Sequence, residues 1–323
     1  MNKKICVIVL VVLVLSMSMF TGCGDSAKAV KFPAQTLNVL VPYDAGGGCD
    51  QYARLVGNYL DTKENNYVVT NLSGGGSIVG TTELLTYDAD GYNWLYTSIT
   101  ALVSAYYTGA ADTKIYEELS PIGFATVVYF SLVAQEGSKW DTLDALVEYC
   151  KANPGEVTIG IPGNASAGHI AALLFADAAG IELKYVPYGS ATETKAALAG
   201  GHVDLASLGI TDVYDFIDAG KFKCYGVSSA ERLVHPTYVD TPTFIEQGYN
   251  YNFDLRNGVL VKKGTDQAAI DYWAEAYKEV VMNPKFEADI VKIASIVDYM
   301  DPEESQQYMD DLFETIGKYE NLF

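Results

Sequence analysis

The chain has 323 residues, with 41 acidic against 21 basic side chains and a formal net charge of −20. So acidic a balance argues against nucleic acid as a partner. Arginine occurs only at Arg54, Arg232 and Arg256, so a carboxylate ligand would have to rely mainly on backbone N–H groups, hydroxyls and helix ends.

Lys3 and Lys4 precede an apolar run from Ile5 to Leu15 and then the small-residue stretch SMSMFTGC, Ser16 to Cys23. This resembles a lipoprotein signal, with Phe20, Thr21 and Gly22 before Cys23, although leucine is more usual at the place of Phe20. On that reading 1–22 is the signal peptide, Cys23 becomes the lipidated N-terminus, and 23–35 is a polar tether. The alternative, an uncleaved anchor, is set against the run being shorter than the ~20 residues a spanning helix needs. Removing the signal leaves roughly 300 residues, which suits two domains with separate cores. Cys49, Cys150 and Cys224 are odd in number and far apart, with no CxxC and no Cys/His spacing for zinc, so neither a disulfide framework nor a metal or cofactor is expected.

Leu37 to Leu60, LNVLVPYDAGGGCDQYARLVGNYL, reads as a buried strand, a glycine turn and a helix in succession. Gly46, Gly47 and Gly48 let the backbone approach a ligand closely, and the first helical N–H groups lack intrahelical partners and carry the positive end of the dipole. The turn matches neither the phosphate loop nor the GxGxxG fingerprint, and its plain alternative is a tight turn capped by Asp50. The design recurs: Tyr67 to Leu72 leads into Ser73-Gly74-Gly75-Gly76-Ser77 and a helix. Asp88-Ala89-Asp90-Gly91 then turns into a third strand, Tyr92 to Ser98, ending in Thr97 and Ser98, for which strand capping is the plain reading.

A Tyr-rich segment, Ala105 to Tyr116, is followed by the long apolar run Ile122 to Ala134, expected to cross between domains. A helix spans Trp140 to Cys150, and a strand Val157 to Ile161 opens through Pro162-Gly163-Asn164-Ala165-Ser166-Ala167-Gly168-His169 into a helix ending at Ala179. Ser166 has the look of an N-cap, and His169 can simply satisfy local backbone. Leu183–Pro187, Val203–Ser207 and Lys223–Ser228 are strands separated by helices at Thr192–Ala199 and Thr211–Asp218. Short strands alternating with helices argue for parallel βαβ units. Gly258 to Val261 is expected to be the return crossing, with helices at Thr265–Val281 and Glu303–Tyr319 after it.

Taken together, VPYDAGGGCDQYAR, NLSGGGSIVG, YDADGYNWLYTS, IPGNASAGHIAALLF, YVPYGSATETKAALAGGHVDLA, AGKFKCYGVSSAERL and TPTFIEQG resemble, in order, the motifs of the Bug-type solute receptors of tripartite tricarboxylate transporters, over nearly the whole mature chain. The resemblance implies an α/β fold: a two-lobed periplasmic-binding-protein type II clamshell, each lobe a mostly parallel sheet flanked by helices, joined by two crossing strands. Lobe 1 is placed at 36–131 and 256–323, lobe 2 at 132–255. It further implies a small organic anion held between Tyr43, Asp44, Ala45, Gly46, Gly47, Gly48, Cys49, Asp50, Ser77 and Thr97 of lobe 1 and Gly163, Asn164, Ala165, Ser166, His169, Tyr188 and Asp204 of lobe 2. Within this set Asp50 mainly stiffens its own loop, and Tyr188 and Asp204 are contacts or supports of the pocket floor. Asp44, Cys49, Asn164 and Ala167 depart from the residues usual in the family, so ligand specificity does not carry over.

The expected role is a lipid-anchored monomer that captures a small di- or tricarboxylate outside the cytoplasm and delivers it to membrane permease subunits. A ligand-sensing ectodomain subunit needs the same clamshell. A hydrolase with Cys49 or Ser166 as nucleophile and His169 as base is the third reading, against which stands the absence of an orienting acid or nucleophile-elbow pattern.

Overall fold

A computed structural model describes residues 35–60, 66–290 and 296–323. The signal peptide, Cys23 and the tether up to residue 34 lie outside the described residues. The first half runs β1 (Leu37–Val41), α1 (Gly48–Tyr59), β2 (Tyr67–Asn71), α2 (Ile78–Thr86), β3 (Asn93–Ser98), α3 (Ile99–Tyr107) and β4 (Leu119–Gln135). Next come α4 (Leu143–Ala152), β5 (Thr158–Ile161), α5 (Ala167–Ala179), β6 (Lys184–Pro187), α6 (Ala191–Ala199), β7 (Leu205–Gly209), α7 (Ile210–Asp218) and β8 (Phe222–Val227). The chain closes with β9 (Asp254–Lys262), α8 (Gln267–Val281), α9 (Pro284–Ile290), β10 (Ile296–Met300) and α10 (Pro302–Gly317).

β4 organises the molecule. Seventeen residues long and buried along most of its length, it pairs with β9 from Leu119 to Tyr129 and with β7 from Phe130 to Ala134. Two sub-sheets therefore share one strand: β2-β1-β3-β9-β4, with β10 on the other edge of β4, and β6-β5-β7-β4-β8. The two orders have the same form, and in each the fourth position is taken by a strand that enters from the other lobe. This is the two-lobed clamshell, and the apolar run Ile122–Ala134 is its first crossing.

The second crossing is tied to the first by one residue. Ser228, fully buried after β8, donates its N–H to Phe130 O (2.8 Å) and its hydroxyl to Phe253 O, while its Oγ accepts from Phe130 N (2.8 Å) and its carbonyl from Phe253 N (3.1 Å). The N–H, carbonyl and hydroxyl of Ser228, through four hydrogen bonds, thus hold the two crossing segments side by side. Ser228→Ala leaves the buried Phe130 N–H and Phe253 carbonyl each one partner short, and is expected to lower stability by about 2 kcal/mol, read as the urea unfolding midpoint.

Register fixes which ends of the strands meet. Ser98, the last residue of β3, lies beside Asn257 of β9, which lies beside Thr126 of β4. From the other lobe, Gly209, the last residue of β7, lies beside Phe130. β3 runs with β4 and β7 runs against it, so the carboxyl ends of the parallel strands of both lobes face one another across four residues of β4, about 13 Å of extended chain.

Two elements depart from expectation. Helix α3 was hidden because Ile99, Thr100, Leu102, Val103, Ser104 and Ala105 are all buried, leaving no amphipathic period to read. Strand β10 is half-buried throughout and shows no alternation. The return segment also begins earlier than Gly258: β9 starts at Asp254 and pairs only within the first lobe.

Candidate functional site

Glycine turns at the carboxyl ends of β1 and β5 open α1 and α5, which occupy equivalent places in the two lobes. Open sheets of this kind present their ligand sites at such ends. At α1 the backbone from Asp44 to Gly48 is exposed, Gly46 sits at φ 84°, and Gly47 donates to Asp44 O at 3.2 Å. The first intrahelical bond is Gln51 N to Gly47 O, so the amides of Gly48, Cys49 and Asp50 precede the ladder, and no side chain caps them. Those amides, at the positive end of a twelve-residue helix, suit an anion.

Asp50 holds this turn in place. Its buried carboxylate accepts from Gly46 N (2.8 Å), Arg54 Nε (3.1 Å) and Asn71 Nδ2 (3.0 Å), and Asn71 also donates to Tyr43 O at 3.1 Å. Burial by itself would raise the Asp50 pKa, but the bonds from Arg54, Gly46 and Asn71 outweigh it and hold the carboxyl below its ordinary value. Asp50→Ala removes the hub of the loop: carboxylate affinity should fall about tenfold or more in calorimetric titration.

Beside it, three hydroxyls close a triangle. Ser77 Oγ donates to the Tyr43 phenol at 2.8 Å, and Thr97 Oγ1 donates to Ser77 Oγ at 3.3 Å and lies 3.3 Å from the phenol. Ser77 and Thr97 are buried, so their hydroxyls position Tyr43. Burial of the phenol, with the Cys49 thiol nearby, pushes the Tyr43 pKa up and keeps it neutral. Burial also pushes the Cys49 thiol up to about 12, which removes it as a nucleophile near neutral pH.

In the second lobe Gly163 has φ 108° and lies against the carbonyl of Tyr188, whose own N–H is bonded to Ile161 O. Asn164 is exposed. Ala165 N donates to His169 Nδ1 (3.1 Å), and Ser166 Oγ caps α5 by accepting from His169 N (3.2 Å), so Ala167 and Gly168 supply the open amides here. Buried against Tyr185 and Phe323, His169 has its pKa lowered to about 4, and its neutral ring is the acceptor that shapes the loop. Nδ1 faces Ala165 N and not the Ser166 hydroxyl, an arrangement that offers Ser166 no base.

Among the described residues only Ser77 (φ 86°) and Ala165 (φ 53°) are non-glycine residues at positive φ; Ser77 ends the second glycine turn of the first lobe, before α2, and Ala165 stands in the turn before α5. Left-handed backbone outside glycine costs about 1–3 kcal/mol and tends to persist where function needs it. Asp204 lies apart from both turns. It precedes β7, accepts from Thr158 N and Oγ1 (3.0 and 2.7 Å) and pairs with Lys139 (3.3 Å), at the amino end of the second-lobe strands and about 17 Å of strand from their facing ends. It braces the edge of β5 instead of flooring the cleft. Asn71 and Asn257 were not singled out from the sequence. Asn71 stands in NLSGGG directly before the second glycine turn, which was its only signal.

Every arginine is already paired: Arg54 with Asp50, Arg232 with Glu246, and Arg256 with Asp254 and Asp298. None of the three is therefore free to pair with an anion at the open amides of α1 and α5. No group of His, Cys, Asp and Glu suited to a metal occurs among the described residues.

Residues 53–322 match the family model described as "Tripartite tricarboxylate transporter family receptor". Protein BugT of Bordetella pertussis is 30% identical over 253 residues, covering 77% of each chain. A crystal structure of a TctC solute binding protein from Polaromonas has the same fold, with a TM-score of 0.78 at 22% identity over 90% of this chain and 98% of that one. An adipate-bound protein of Rhodopseudomonas palustris superposes with a TM-score of 0.70 at 21% identity, over 90% of this chain and 98% of its own.

Proposed function

The chain belongs to the tripartite tricarboxylate transporter receptor family, and from that premise we propose that it captures a small di- or tricarboxylate between its lobes and delivers it to membrane permease subunits. It is an extracytoplasmic solute receptor and not an enzyme. The observation that carries the ligand class is the register of β4. This register turns the open helix starts of α1 and α5 toward one another while all three arginines are engaged elsewhere. The adipate carried by a protein of the same fold supports a ligand of that kind.

The mechanism follows from the geometry. One carboxylate docks on the amides of Gly48, Cys49 and Asp50, with Tyr43 as a neutral donor beside it. Closure about the Ser228 clamp then brings Gly163 to Gly168 onto the far end of the ligand. Excluding water strengthens each charge-assisted bond, which compensates for the missing cations. Ligand shifts this hinge because only the closed form makes both sets of contacts. With a net charge of −20, the long-range field repels an anionic ligand, so added salt should speed association.

A shift in melting temperature with a panel of di- and tricarboxylates tests the reading, using protein freed of co-purified ligand; no shift with any of them would end it. Attachment through a lipid on Cys23 is part of the proposal. Among the described residues no helix is long and apolar enough to cross a membrane. Cys23→Ser should move the protein from the membrane fraction to the soluble fraction, and retention there would argue for another anchor.

A further inference from the structure

We propose that Asn257 and Ser98 form a neutral floor of the ligand site that reads an oxygen on the carbon next to the bound carboxylate, selecting 2-hydroxy acids over plain diacids. This rests on the carboxylate-receptor reading above. Ser98 closes β3, Asn257 lies directly across from it on β9, and Thr126 lies across from Asn257 on β4. Directly opposed residues share a face of the sheet, with β-carbons about 5 Å apart. That face is the one covered by α1: Tyr96, two residues before Ser98, stacks on Tyr52 of α1, with ring centroids 4.7 Å apart, and bonds Thr126 Oγ1 at 2.8 Å.

The head of the row reaches the anion-binding turn. Asn257, nine-tenths buried, has its Oδ1 3.8 Å from Cys49 Sγ, on the first turn of α1, and accepts from the protonated thiol. That contact turns Nδ2 away from Cys49, and no group among the described residues accepts from it. Ser98 Oγ is buried and likewise has no partner. A buried hydroxyl without a partner is costly to leave so, and Ser98 lies in register with Asn257, which reaches the helix start proposed to hold a carboxylate. An amide donor and a hydroxyl without a cation suit an uncharged oxygen. Since Asn257 touches the second residue of α1, we place that oxygen on the carbon next to the carboxylate.

Calorimetric titration of the full chain with malate against succinate, and 2-hydroxyglutarate against glutarate, tests this in the wild type, Asn257→Leu and Ser98→Ala. The wild type should prefer the hydroxylated member of each pair about tenfold or more. Both variants should bring the ratio close to one while the plain diacids bind within about threefold of wild type. Ser98→Ala removes a hydroxyl with no partner, so its unliganded melting temperature should be unchanged or higher. A purely structural serine would instead lower it. Should Asn257→Leu fail to fold, Ser98→Ala decides alone. Equal affinity of the wild type for both members of each pair, or a preference surviving in the variants, overturns the floor and leaves the receptor reading intact. A wild type that binds none of the four acids also overturns the floor, whereas the receptor reading falls only if the wider melting-temperature panel is likewise without effect.

Discussion

Between pH 6.5 and pH 4 the unliganded protein is expected to lose about 3 kcal/mol of stability through His169. The ordinary pKa of a histidine is near 6.5, and burial lowers that of His169 to about 4. Within this window the unfolded chain takes up a proton that the folded chain refuses, so acidification favours unfolding. Above pH 6.5 and below pH 4 the contribution is flat. Asp212 and Asp254, whose pKa values burial raises, work in the opposite direction, so the difference between wild type and His169→Gln isolates the effect. Denaturant titrations at half-unit pH steps should show the difference shrinking toward pH 4. A constant difference would mean that the ring is not neutral and buried as described. The functional consequence lies in the same atom: protonated Nδ1 cannot accept from Ala165 N, so the second-lobe turn should loosen and carboxylate affinity fall only as the pH drops through about 4, where the folded chain itself takes up the proton.

Gly258→Ala should be the most damaging small substitution in the chain. A β-carbon there would stand well under 3 Å from the Phe124 ring and the carbonyl of Gly123, and 2.6 Å from Phe124 Cα. Two of these obstacles are backbone, and β9 is held between β3 and β4, so it cannot step aside. The expected loss is about 3 kcal/mol or more, at the upper end for overpacking. Loss of the cooperative urea transition, or a midpoint lowered to match, would bear this out; a midpoint within experimental error of wild type would show that the strand can shift. Because Asn257 and Ser98 sit beside this glycine, any protein that does fold should also lose its preference for 2-hydroxy acids.

Much of the architecture was legible because strands and helices here alternate in short, strongly apolar pieces bounded by glycine and proline. β1, β2, β3, β5, β6 and β8 lie within a residue or two of the expected runs. The glycine turns were equally legible, since few residues other than glycine support such backbone beside a helix start. Asp204 shows where that reading fails. Its place in a Gly-Gly-x-Val-Asp turn says nothing about which end of the sheet it occupies, and the parallel pairing of β5 with β7 puts it at the far one. Asn257 failed in the other direction: a polar residue in an apolar strand becomes noticeable only when Ser98 and Cys49 are brought to it from 159 and 208 positions away.

Local chemistry along the chain settled the elements themselves, the scarcity of cationic side chains for an anion, and the turns able to replace them, because each depends on neighbours within a few positions. What pairs with what was settled in space. The exchange of partners along β4, the facing of α1 and α5, the Ser228 clamp and the neutral ring of His169 all depend on strands and side chains far apart in sequence. Their energies come from burial and register, which no stretch of chain carries alone.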